Sequence, residues 1–151
     1  MKIFFLLLII SMISSCGSNK EKISNDLDLN GSWRSNCFLV DNNSVYIEIV
    51  YLDNTFDRTS FRFDNDSCFG EITDAANQTY NTYGTFAVGN GIRTDSGLTA
   101  FEITYITNLV QIDPSYLDII RLEGDTFNEG IRNNTNSFPT ELDFNIIFTR
   151  K

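Results

Sequence analysis

No histidine occurs among the 151 residues. That absence removes the commonest general base, the usual partner of a serine nucleophile and most zinc and copper sites. Basic residues are few, with 11 Lys and Arg against 20 Asp and Glu and a formal net charge of −9. A surface so acidic repels nucleic acid and anionic lipid headgroups, so nucleic acid is not an expected partner. No apolar run is long enough to cross a bilayer, and no glycine-rich loop leads from a strand into a helix to cradle phosphate. The carboxylates are scattered along the chain, and nothing selects two of them for acid–base work. Asp64-Asn65-Asp66-Ser67 is rich in oxygen but lacks the glycine and the later glutamate of a calcium loop, and it reads as a turn. The chain therefore reads as a non-enzyme, with no cofactor and no metal.

The N-terminus carries Lys2, a short apolar stretch from Ile3 to Ile10, and then Ile13-Ser14-Ser15-Cys16. One positive charge, an apolar segment too short to span a membrane and small residues before a cleavage point make a secretory signal. The four residues ending in Cys16 resemble the bacterial lipobox. That resemblance implies cleavage before Cys16 and acylation of its thiol and new amino group, at about 0.8 kcal/mol of membrane affinity per buried methylene. Residues 1–15 are thus the expected signal peptide and residues 16–28 the lipidated cysteine with a polar tether. Removing 15 of the 151 residues leaves 136, enough for one domain, and moves the net charge from −9 to −10 because Lys2 is the only charge lost. The expected location is the bacterial cell envelope, on the outer membrane given Gly17 after the cysteine.

Two further cysteines, Cys37 and Cys68, remain in a chain bound for an oxidising space, and a disulfide between them is expected. From Gly31 onward, short runs of Val, Ile, Phe, Tyr and Thr alternate with Asp, Asn and Gly clusters about ten residues apart, the pattern of an all-β barrel or sandwich. Helical periodicity is absent. The expected strands span 31–40, 44–52, 55–63, 67–74, 80–88, 98–107, 116–123, 126–131 and 142–150. Short links such as Asp41-Asn42-Asn43 and Asp53-Asn54 demand antiparallel neighbours, and hairpins are expected at Gly89–Gly91 and Gly124-Asp125. An up-and-down meander of eight or nine strands over residues 29–151 removes its edges by closing into a barrel. A two-sheet sandwich is the alternative, with the loop from Arg132 to Glu141 as its crossover. In the second strand Val45, Ile47, Ile49 and Tyr51 share one side; in the last, Leu142, Phe144, Ile146, Phe148 and Arg150 do.

Gly31-Ser32-Trp33 opens the first strand of the domain and Arg150 ends the last. A Gly-x-Trp start with a terminal basic residue resembles the calycin superfamily, which includes lipocalins and fatty-acid-binding proteins. The resemblance implies that Gly31, Trp33 and Arg150 close one end of the barrel, with the guanidinium across the indole face. It implies architecture rather than catalysis. The chain also resembles small lipocalin-like bacterial lipoproteins. Two functions follow as expectations: a membrane-tethered carrier holding a small apolar ligand in the barrel, or an envelope interaction module or inhibitor. The second would have a filled core and engage an envelope protein through the loops at 89–97 and 132–139.

Overall fold

The computed structural model describes residues 27–70, 79–108, 115–132 and 136–151. Among these the chain is all β, with strands β1 (Gly31–Ser35), β2 (Phe38–Val40), β3 (Asn43–Leu52), β4 (Thr55–Phe63), β5 (Thr79–Arg93), β6 (Thr99–Thr107), β7 (Ser115–Glu123), β8 (Thr126–Glu129) and β9 (Phe148–Arg150). The sheet runs in the order β1-β9-β8-β7-β6-β5-β4-β3-β2, and β1 also pairs with β3. That last pairing closes an eight-stranded antiparallel barrel and leaves β2 as an extra strand on β3. The sandwich alternative is set aside.

Alternation dictates what fills the barrel. Val45, Ile47, Ile49 and Tyr51 are all buried, as is Phe56 opposite Tyr51 on β4. With Trp33, Ile103, Tyr105, Ile120, Phe127 and Phe148 they form one apolar cluster. A second, smaller cluster of Ala100, Ile119 and Leu142 lies on the other side of the wall, since Ile119 alternates with the inward Asp118 and Ile120. Phe138 packs against it. Gly130 permits this layer: a Cβ there would lie 2.6 Å from Pro139 and 2.8 Å from Ile119.

Four local expectations are corrected. The first strand breaks between Ser35 and Phe38, because Asn36 turns toward the chain's far end and Cys37 toward Cys68. The strand expected at 67–74 is not formed over 67–70, where Asn65 holds a turn by accepting the Ser67 N–H and donating to the Phe69 carbonyl; 71–74 lie outside the described residues. Gly89–Gly91 is no hairpin: β5 continues to Arg93 through a bulge between Val88 and Gly91, and the turn falls at 94–97. The strand expected at 142–150 shrinks to Phe148–Arg150, with Leu142 making an isolated bridge to Gly130. Between them, side-chain amides replace the ladder. Asn128 donates to the carbonyls of Asp143 and Ile146, and Asn36 donates to that of Asn145 and accepts the Ile147 N–H. Phe144, expected to face inward, is exposed as a result.

Candidate functional site

One end of the barrel is sealed by residues from both ends of the domain. The Arg150 guanidinium carbon stands 4.2 Å from the centroid of the Trp33 ring. Trp33 Nε1 donates to the Leu29 carbonyl at 2.7 Å, and Arg150 donates to the Asn30 carbonyl and contacts Asp125 at 3.3 Å. Leu29 is buried and Leu27 packs on the same cluster, so the segment preceding β1 lies over the barrel end. Gly31 has φ +124°, and a Cβ there would come within 2.9 Å of Arg150 Nη1.

Away from Gly31, Cys37 and Cys68 form the disulfide, with Cα atoms 5.8 Å apart. It ties the break between β1 and β2 to the segment following β4. Cys16 and the rest of the signal and lipobox lie outside the described residues.

The chemistry inside the barrel was not legible in the sequence. In the closed ring of strands, β4 and β8 stand four apart, on opposite walls. Arg58 on β4 and Glu129 on β8 nevertheless meet across the lumen, Nη1 to Oε1 at 2.6 Å, with both side chains largely buried. Glu129 also lies 3.7 Å from Arg132, which reaches Asp118 at 3.3 Å and covers the Tyr116 ring at 4.6 Å. Asp118 is 0% exposed, and its Oδ1 accepts the Ile119 and Gly130 N–H groups at 2.8 and 2.9 Å. Beside this network the Tyr51 and Tyr105 hydroxyls share a buried hydrogen bond of 2.6 Å, and Tyr105 stacks on Tyr116 with centroids 4.5 Å apart. Arg58, Glu129 and Asp118 are thus buried in a low-dielectric interior, where an unpaired charge would be costly, while the half-exposed Arg132 reaches them from the rim.

The environment separates the two acids. Burial raises the Asp118 carboxyl, the neighbouring Glu129 raises it further, and together they outweigh Arg132 and the two backbone donors to push it up to about 7. Burial also acts to raise Glu129, but Arg58 and Arg132 overcome it and hold that carboxyl below its ordinary value. Burial pushes Tyr116 up to about 12 and both Tyr51 and Tyr105 well above the usual phenol range, so all three stay protonated. Among the described residues no three metal-ligating groups converge.

Outside the barrel an open groove of about 520 Å³ includes Arg34, Arg150 and Lys151 in its lining. Its cations are already engaged: Arg34 and Lys151 with Glu48, and Arg150 with Asp125. Of the loops expected to meet a partner, the one at 89–97 is largely the extension of β5, with only its turn projecting. That turn is tied to the segment before Leu142, the Ser96 N–H donating to Glu141 and the Thr140 hydroxyl to Asp95, both at 2.8 Å. No family model, no curated protein and no solved structure matches the chain. The β-barrel agrees with a lipocalin-like fold, and the residue-level geometry carries the rest.

Proposed function

We infer that the protein is a non-catalytic interaction module of the bacterial cell envelope, anchored through lipid on Cys16 and acting through its outer surface. The observation that supports this reading over an internal carrier is the Arg58–Glu129 ion pair across the lumen. A carrier needs a connected apolar cavity of about 300 Å³ or more with a few polar groups left to orient its cargo. Here Trp33, Tyr51, Tyr105, Phe127 and Phe148 pack in the interior, and the buried Arg58 is neutralised by Glu129. Removing a ligand from water would require breaking that network. A barrel crossed by this ion pair and lined with aromatic rings instead offers a scaffold on which strand edges and turns are held in place for a partner.

Native and denaturing mass spectra of the protein purified from an expressing bacterium test the reading. The expected result is one mass under both conditions, carrying the disulfide and the acyl chains. A non-covalent small molecule released on denaturation would overturn it in favour of the carrier. Metabolic labelling with a palmitate analogue tests the anchor: the label is expected on the wild type and absent from Cys16→Ser, and a labelled variant would refute the lipobox assignment.

A further inference from the structure

Among the described residues the sheet order ends at β2, which pairs with β3 alone. Asp41 and Asn42, with φ of 48° and 64°, make the two-residue turn between β2 and β3. In such a hairpin the flanking residues, Val40 and Asn43, exchange both backbone hydrogen bonds, and the next pair out, Leu39 with Ser44, exchanges none. The N–H and C=O of Leu39 therefore point away from β3, toward the edge that no described strand covers. The Leu39 side chain is 64% exposed, and Val40 is exposed as well.

Phe69 belongs to the same end of the molecule, one residue beyond Cys68, and Cys37 lies two residues before Leu39. Its ring is 82% exposed, although its backbone is held from several directions. The disulfide fixes Cys68, the Cys68 N–H approaches Cys37 Sγ at 3.2 Å, the Phe69 carbonyl accepts from Asn65 and its N–H bonds to the Ser67 carbonyl. A large ring held in water by a stapled turn is already ordered for binding, which lowers the entropic cost of using it as an anchor. Asp41, in the turn after Val40, and Asp66, two residues before Cys68, are exposed.

We propose that the free edge of β2, together with Phe69, docks an extended segment of a partner protein that carries basic and apolar side chains and adds to the barrel as a further strand. This rests on the interaction-module reading and names its surface and the chemistry of its partner. Strand addition satisfies the Leu39 backbone groups, Leu39, Val40 and Phe69 receive the apolar side chains, and the aspartates select the basic ones. A second copy of the chain is a poorer occupant, because edge-to-edge pairing would set one acidic rim against another.

The test uses the purified full chain in detergent and two synthetic seven-residue peptides, one alternating Lys with Val and one alternating Glu with Val, with amide hydrogen exchange followed by mass spectrometry. The Lys–Val peptide is expected to slow exchange in fragments covering 37–41 and 67–70, and Phe69→Ser, at an exposed position, to weaken its binding at least tenfold. Unchanged exchange at 37–41, or equal protection by the Glu–Val peptide, overturns the proposal. Protection of 37–41 without peptide, growing with protein concentration, would make a second copy the occupant and also overturn it. The mass-spectrometric search for a carried ligand is independent, so failure of the underlying reading is recognised separately.

Discussion

Arg150 on the last strand and Trp33 on the first are register partners in the sheet as well as a cation–ring pair, the guanidinium carbon lying 4.2 Å from the ring centroid. The contact therefore lies at the end of the ladder between β1 and β9, over the buried Trp33 ring. The Leu29 carbonyl, bonded to Trp33 Nε1, adds the segment before β1 to the same seal.

Trp33→Ala is expected to cost about 3–5 kcal/mol, since it empties a fully buried site against Phe127 and leaves the Leu29 carbonyl unpaired. Arg150→Ala is expected to cost about 0.5–2 kcal/mol, the range of a partly exposed cation–π contact. Urea unfolding measures both. A Trp33→Ala loss below about 1 kcal/mol would contradict the closure role.

Removing one partner of the cross-lumen pair should be worse than removing both. Glu129→Gln leaves Arg58 buried without its counter-charge and is expected to lose about 3–5 kcal/mol. Arg58→Met combined with Glu129→Leu is expected to recover much of that loss. A double variant no more stable than either single one would show that the pair contributes more than mutual neutralisation.

The pH dependence of stability follows from Asp118. Its ordinary value is 3.8 and the fold raises it to about 7, so between those values the native state holds a proton that the unfolded chain has released. Stability from this group therefore falls as pH rises through that window, by at most about 1.4 kcal/mol per pH unit, and levels off above it. Glu129 acts in the opposite sense, because its pKa is lowered, and its window lies below its ordinary value of 4.5. Urea midpoints at pH 5 and pH 7.5 are expected to favour pH 5, and Asp118→Asn to shrink the difference. An equal difference in that variant would assign the slope to other groups.

Reduction of the Cys37–Cys68 bridge, whose cysteines are 31 residues apart, releases a constraint on the unfolded chain of about 3.7 kcal/mol by chain-entropy reasoning. Calorimetry with and without a thiol reductant is expected to show a fall of several degrees in Tm. An unchanged Tm would mean that the bridge neither staples the barrel nor holds the Phe69 turn.

The amino-acid sequence by itself determined the class of fold and the lining of much of its wall. Period-two alternation in β3 places Val45, Ile47, Ile49 and Tyr51 inside, and the Asp- and Asn-rich links force antiparallel neighbours, because both signals act over a few residues of one strand. The same local logic misread residues 143–147, where the side chains of Asn36 and Asn128 supply hydrogen bonds from distant parts of the chain. It also gave no sign of the charged lumen: Arg58, Asp118 and Glu129 look like ordinary surface charges along their own segments. Only closure of the sheet sets β4 opposite β8 and brings Arg58 and Glu129 within 2.6 Å. That the described sheet ends at β2 was likewise decided by the tertiary structure, because an edge is defined only by the pairing of the neighbouring strands.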